Sequence, residues 1–330
     1  MTAYKEIQGI SVQTVAGDPP APLTGQIWYN SSTGTFRVSK VGLVGSWSTG
    51  GNLNTTREGS AGAGIQTAAL AFGGDLAPAL GGSTSTGVTE SYNGTSWTEV
   101  NDLSTVRHVL AGCGTQTAAL AFGGFSSPPT TRHTQTESWN GTNWTELNDL
   151  NTGRNNLAGV GTQTAALAIA GYPAPTGVTE TWNGTNWTEV NDLGYMQGLA
   201  AAGTQTAALV FGGSGDSPKT TTDTWNGTNW TEVNGLNTGR DDLGGVGTNT
   251  AALGFGGNVP GAPRTGATET WNGTNWTELN DLNTGRSKFG EAGASNTSAL
   301  AFGGESPATT NATEEWSEAP AQVTETITEV

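Results

Sequence analysis

The stretch TWNGTNWTE, residues 181–189, recurs unchanged at 224–232 and 270–278, as SWNGTNWTE at 138–146, and more loosely as SYNGTSWTE at 91–99. These copies hold nine of the 12 Trp residues of the chain. Asn-Gly-Thr can be read as a glycosylation sequon, a tight turn or a ligand loop. The regular recurrence favours the turn, because Asn and Gly tolerate the positive φ of a tight hairpin. The flanking Trp residues then become packing anchors on two paired strands.

A second motif alternates with the first: QTAALAFGG at 66–74 and 116–124, QTAALAIAG at 163–171, QTAALVFGG at 205–213, NTAALGFGG at 249–257 and NTSALAFGG at 296–304. From Thr67 through Thr117, Thr164, Thr206, Thr250 and Thr297, the intervals are 50, 47, 42, 44 and 47 residues. Six units of this length fall in the range of propeller blades. Each unit reads as four strands. The first is short, as in NNLAGVG (155–161), and a tight turn follows. The second, TAALAIA, is apolar on both faces, as a buried inner strand should be. The third is of the type VTETW (178–182), and after Asn-Gly the fourth is of the type NWTEV (186–190).

Ten residues after the second Trp stands an Arg: Trp97 to Arg107, Trp144 to Arg154, Trp230 to Arg240 and Trp276 to Arg286. The third unit departs, with Gln197 ten residues after Trp187. The sequence of Arg, apolar strand, Gly-Gly, Tyr or Trp, then Trp resembles the kelch repeat across roughly residues 45–316. Trp-Asn-Gly or Tyr-Asn-Gly stands where that repeat carries Tyr-Asp-Pro. The last unit has Trp316 but no second Trp, whereas Trp47 lies ten residues before Arg57. The missing outer strand is therefore expected from the N-terminal side. The fold predicted is all-β: a six-bladed kelch-like β-propeller closed by an N-terminal strand, which leaves no free edge between first and last blades.

A net charge of −16 excludes a basic surface for phosphate backbones and disfavours anionic membranes. No nucleic-acid partner and no membrane insertion are expected. The single Cys, Cys113, excludes an intrachain disulfide framework. The opening MTAYKEIQGI lacks the basic and apolar regions of a secretory signal, so the Asn-Gly-Thr sequon match is read as a by-product of the turn.

Residues 1–44 do not repeat. GQIWYN and TFRVSK, around an Asn-Ser-Ser-Thr-Gly turn, read as a small β-hairpin after a Pro-rich arm. Gly25, Ile27, Trp28, Tyr29, Asn30, Thr33, Gly34 and Val38 resemble a short GxIWYNxxTGxxxV element of virion and tail proteins of tailed bacteriophages, including cyanophages. The resemblance implies docking to other virion proteins through residues 1–44, with Trp28, Tyr29 and Phe36 as candidate docking residues. The expected division is a docking arm at 1–44, a propeller at 45–316 and a tail or added strand at 317–330. The tail VTETITEV (323–330) reads either as a frayed end or as a strand added to a neighbour.

Little catalytic chemistry is visible. His108 and His133 lack metal-ligand spacing partners, and Cys113, in AGCG, reads as a small apolar filler. Kelch-type copper oxidases need several His and Tyr ligands that this chain lacks. No cofactor and no metal is assigned, though calcium in Asp/Asn loops such as 148–150 stays open. Carboxylates recur on the third strand (Glu90, Glu137, Glu180, Asp223, Glu269) and on the fourth (Glu99, Glu146, Glu189, Glu232, Glu278). A feature copied in every unit suits solvation or pairing with the Arg series better than a unique active site. Arg57, Arg107, Arg154, Arg240 and Arg286 read as intra-blade ion pairs or as a ligand-binding ring.

The segments after Gly-Gly diverge: 75–87, 125–133, 172–177, 214–220, 258–266 and 305–311. Binding is usually placed in loops on a rigid scaffold. Phe125, Arg132, His133, Tyr172, Lys219 and Arg264 are the candidate contact residues there. The expectation is a non-enzymatic virion protein, a tail fibre or appendage that contacts a host surface glycan or receptor. The alternatives are a tail or capsid accessory protein that only stabilises the assembly, and a glycan-active propeller enzyme. A homo-oligomer is compatible with each.

Overall fold

A computed structural model of the chain describes residues 12–76, 84–173, 177–194, 196–215, 219–259, 261 and 264–327, all in strands, turns and loops with no helix. Two compact units result: Ser46–Ser317, and Met1–Gly45 together with Glu318–Val330. The larger unit is β-propeller-like, an array of antiparallel sheets in five of which the strands follow one another in chain order.

Five of these sheets have four strands each. Sheet I is Ala61–Ile65, Ala68–Phe72, Thr89–Tyr92 and Trp97–Val100. Sheet II is Ala111–Thr115, Ala118–Phe122, Thr136–Trp139 and Trp144–Glu146. Sheet III is Ala158–Thr162, Ala165–Ile169, Thr179–Trp182 and Trp187–Val190. Sheet IV is Ala200–Thr204, Ala207–Phe211, Thr222–Trp225 and Trp230–Val233. Sheet V is Gly244–Gly247, Ala252–Phe255, Thr268–Trp271 and Trp276–Glu278. Sheet VI has six strands, in the order Gly290–Ser295, Ser298–Phe302, Thr313–Thr326, Thr35–Thr49, Ile27–Asn30 and Gln13–Val15. The strand Thr35–Thr49 thus occupies the fourth place that Trp97, Trp144 and their equivalents fill elsewhere.

The second strands are the most buried. Ala69 to Phe72, and their counterparts in sheets II and VI, have no exposed surface. Alternation along a strand sends their side chains to both neighbouring sheets. Each bulky residue meets the outer Trp of the next sheet: Phe72 with Trp144, Phe122 with Trp187, Phe211 with Trp276, Phe255 with Trp47 and Phe302 with Trp97, at ring separations of 4.7–4.9 Å. Ile169 takes that role against Trp230.

The same Trp residues reach back through their indole N–H. Trp97 donates to Thr313, Trp144 to Thr89, Trp187 to Thr136, Trp230 to Thr179, Trp276 to Thr222 and Trp47 to Thr268, at 2.9–3.2 Å. A buried indole needs such a partner. In the four nonapeptides that have it, the first Trp donates its indole N–H within its own sheet, as Trp182 does to the Gln163 carbonyl, while packing on the sheet before; in the fifth copy Tyr92 donates to Glu315 of sheet VI. Asn183 Oδ1 accepts from the amides of Thr185 and Asn186 at 2.9 and 2.8 Å, fixing the turn between the two Trp.

Backbone contacts repeat the order. The first strands of successive sheets are neighbours, I beside II and so on, with VI beside I. Just before each first strand one residue has positive φ: Gly59, Val109, Asn156, Gly198, Asp242 and Lys288. Their amides and carbonyls hydrogen-bond in a cycle, Gly59 to Lys288, Val109 to Gly59, Asn156 to Val109, Gly198 to Asn156, Asp242 to Gly198 and Lys288 to Asp242, at 2.6–3.1 Å. The six first strands line a cavity of about 210 Å³.

The smaller unit contains Gln13–Val15, Ile27–Asn30 and the outer parts of Thr35–Thr49 and Thr313–Thr326. Ile27–Asn30 and Thr35–Val38 form the expected hairpin, with Trp28 opposite Arg37. The tail segment read as a frayed end or an added strand is paired as far as Thr326 within this chain's own sheet, and 328–330 lie outside the described residues. Lys40 and Glu325 form an ion pair at 2.5 Å, and Ile327 donates its amide to the Phe36 carbonyl.

Candidate functional site

The Arg series is interior. Arg57, Arg107, Arg154 and Arg240 have no exposed surface and Arg286 has 1 %. Each pairs with the third-strand carboxylate of its own sheet: Glu90, Glu137, Glu180, Glu269 and Glu314, at 2.5–3.2 Å. Each also donates to backbone carbonyls, as Arg107 does to Gly123, Gln135 and Ala121. The carboxylates accept in turn from the preceding loop; Glu180 holds the Asn151 amide at 2.9 Å and the Asn151 side chain at 2.7 Å. Burial pushes Arg57 and Arg107 down to about 10, against the opposing pull of Glu90 and Glu137. These arginines are therefore structural, and the reading of them as a ligand-binding ring is corrected: no guanidinium of the five reaches the surface.

Sheet IV carries the exception, at Met196 rather than Gln197. The Gly171 amide donates to the Met196 carbonyl as the Gly124 amide does to that of Arg154. The loop is one residue shorter here, so the ten-residue spacing slides past the equivalent position. Met196 is buried, and the third-strand Glu is replaced by the shorter Asp223. Burial and the charge of Glu232 hold the Asp223 carboxyl above its usual range. The fourth-strand acids Glu99, Glu146, Glu189, Glu232 and Glu278 are exposed.

The diverging loops give a different surface. In each of the six sheets the residue after the Arg position bridges to the one after Gly-Gly: Glu58 to Asp75, His108 to Phe125, Asn155 to Tyr172, Gln197 to Ser214, Asp241 to Asn258 and Ser287 to Glu305. Each bridge extends the first hairpin of its own sheet into the diverging loop. Arg132 lies with its guanidinium carbon 4.7 Å from the Tyr172 ring centre and 6.0 Å from that of Phe125. The His108 ring stands edge-on to Phe125 at 5.4 Å and hydrogen-bonds Ser85 at 3.0 Å. Burial lowers the His108 pKa, favouring the neutral ring. The result is a partly exposed strip of one cation and two aromatic rings. It can stack against a planar or sugar-like face and donate hydrogen bonds from Arg132.

Phe125, Arg132 and Tyr172 are thus brought together, while the other three candidates do not join the exposed strip. His133 is 7 % exposed, and its two ring nitrogens hydrogen-bond Ser126 and Gln135 at 2.9 Å each, so it holds its own loop rather than facing outward. Arg264 is engaged by Glu305 in an ion pair. Lys219 is half-buried, with its amide bound to the Gly213 carbonyl. His108 and Ser85 were missed as members of the strip. The signal for His108 was available, because it follows the Arg marker at the position that bridges to the residue after Gly-Gly.

Of the docking candidates, Trp28 is fully buried in the smaller unit and donates to Asp18 at 3.0 Å. It is a core residue of the hairpin, and the reading of it as a contact residue is corrected on that ground. Tyr29 packs on Phe36 at 5.1 Å, and Phe36 is 48 % exposed. Among the described residues no three His, Cys, Asp or Glu are grouped as a metal site would require. Cys113 is buried, which pushes its thiol up to about 12, away from the reactive thiolate.

No protein-family profile matches the chain, and no curated protein matches it.

Proposed function

We propose that the six sheets are the blades of a closed kelch-like β-propeller, and that the protein is a structural component of a tailed-phage virion. In this reading the smaller unit docks to other virion proteins. The propeller then presents its loops to the host surface, as a tail fibre or appendage does. The Trp–Thr and backbone hydrogen-bond cycles, which run through all six sheets, and the Phe–Trp contacts at five of the six junctions support closure by Thr35–Thr49.

The observation that carries the docking role is where apolar surface is exposed. Of the described large apolar side chains that are exposed, Val12, Leu23, Ile27, Phe36, Val41, Leu43 and Ile327 belong to the smaller unit, against Ile65, Val106 and Tyr172 in the larger. Leu23 is 77 % exposed and Leu43 64 %. Apolar surface concentrated in this way marks an interaction site. The strip of Phe125, Arg132 and Tyr172 supports contact with a host glycan, since aromatic faces stack on sugar rings and guanidinium groups bind their hydroxyls.

The test uses purified particles and host cells. The full chain should co-sediment with the particles, and a chain lacking residues 1–44, which keeps Trp47, should not. Full-length protein should also adhere to host cells, and Arg132→Ala with Tyr172→Ala should abolish adhesion without loss of folding. Co-sedimentation without adhesion would replace the appendage role by that of an accessory protein. Absence from particles would overturn the virion reading.

A further inference from the structure

The cavity inside the six first strands is nearly symmetric, with one interruption. Strand register sets Gly62, Gly112, Gly159, Ala201, Gly245 and Glu291 at one level, opposite Ala71, Ala121, Ala168, Val210, Gly254 and Ala301. Four of the six are glycine because the neighbouring sheet is too close for more. A Cβ at Gly62 would fall 2.0 Å from the Glu291 carbonyl oxygen, and one at Gly112 would fall 2.4 Å from Phe72. At this level Glu291 alone carries a long side chain.

The charges of the lining are unequally partnered. Asp242 and Glu291 are its acids and Lys288 its base. Asp242 accepts from Asn258 at 3.2 Å, and Lys288 lies 3.9 Å from both Glu58 and Glu305. Glu291 is half-buried in the cavity lining, and its carboxylate, desolvated by burial, has no hydrogen-bond or ion-pair partner among the described residues. A desolvated carboxylate without a partner is costly unless a counter-charge arrives.

We propose that this cavity binds a primary ammonium group on a short unbranched alkyl stem, with Glu291 as its counter-ion. Glu291 lies three residues in from the hydrogen-bonded ring at Lys288, a depth on the order of 10 Å along a strand, which suits a chain of several methylenes. The walls between are Gly, Ala and Leu with Phe289 and a single Ser60, which give mostly apolar contact. A divalent metal would want several oxygen ligands, and the described residues group no three acidic, His or Cys side chains anywhere. Burial pushes Glu291 up to about 8 and Asp242 up to about 6, so the site gains its negative charge as pH rises. The other titratable or charged groups of the lining are Lys288 and Cys113, with Glu58, Asp241 and Glu305 acting on Asp242 from the rim. The inference is independent of the host-contact reading, which concerns the outer loops.

The experiment is calorimetric titration of the full chain with n-hexylammonium at pH 6.5 and pH 9, with 1-hexanol and calcium chloride as comparators. Glu291→Gln and Glu291→Gly are titrated alongside, the second reproducing the residue of four other sheets. Wild type should bind hexylammonium saturably at pH 9, roughly tenfold or more weakly at pH 6.5 as the carboxylate protonates, and hexanol not at all. Both variants should lose the binding while unfolding as cooperatively as wild type. The proposal is overturned by no saturable binding at pH 9, by equal affinity for hexanol, by undiminished binding in either variant, or by Glu291-dependent binding of calcium alone.

Discussion

At the scale of single residues, the buried Arg–Glu pair is the part of the repeat that tolerates least change. Removing one partner strands a charge in the interior, at a cost of about 3–5 kcal/mol. Arg107→Met should therefore lower stability by about that amount in urea unfolding. Arg107→Met combined with Glu137→Asp, which copies the Met196 and Asp223 of sheet IV, should cost distinctly less than the single change. Non-additivity of this sign is the signature of a coupled pair.

The pH response belongs to this scale too. The folded state binds the Glu291 proton more tightly than the unfolded state does, because burial raises its pKa from 4.5 to about 8. That contribution is fully present below pH 4.5 and is lost as pH rises through 8. The stability of wild type relative to Glu291→Gly should fall across that window, as followed by denaturant midpoints at each pH.

The Arg marker was legible because a fixed spacing survives in five units. Its sixth member was not, since one deleted residue moved Gln197 into the expected place and hid Met196. Glu291 was legible by the same marker, since it stands five residues after Arg286 where Gly62, Gly112, Gly159 and Gly245 stand five after Arg57, Arg107, Arg154 and Arg240.

At the scale of the element, the nonapeptide is a hairpin with three jobs. Its first Trp hydrogen-bonds its own sheet and packs on the one before, its second Trp hydrogen-bonds the one before, and Asn183 with Gly184 turns the chain. Gly184 has φ +89, and an added Cβ there would lie 3.4 Å from the Thr164 carbonyl oxygen. Gly184→Ala should cost at least about 1 kcal/mol, mostly from backbone strain, measurable as a shifted thermal midpoint. Strand order and turn chemistry were readable from the sequence because each unit obeys the same period. The loop strip was only half readable. Composition picked out Phe125, Arg132 and Tyr172, but it could not show that His133 turns inward onto Ser126 or that Glu305 claims Arg264. Those outcomes depend on how loops of different lengths meet, and no repeat constrains that.

At the scale of the whole molecule, the account rests on the strand Thr35–Thr49 serving as the outer strand of the sixth sheet. Trp47 makes there the contacts that Trp187 makes in sheet III. Trp47 stands 4.9 Å from Phe255 and donates to Thr268 at 3.0 Å, and Trp187 stands 4.9 Å from Phe122 and donates to Thr136 at 2.9 Å. The sequence pointed to this through the interval from Trp47 to Arg57 and the last unit's missing second Trp, whereas the continuation of Thr313–Thr326 beyond Ser317 had no repeat to announce it. If the ring is closed in this way, the two indoles contribute alike, although Trp187 directly follows the other strands of its sheet in the chain and Trp47 precedes those of its own by nearly the whole repeat array. The deciding measurement is equilibrium unfolding of full-length Trp47→Ala beside Trp187→Ala. The closed ring predicts a single transition for each and a similar loss of about 3–5 kcal/mol. A loss below about 1 kcal/mol for Trp47→Ala, with Trp187→Ala in the full range, would contradict it.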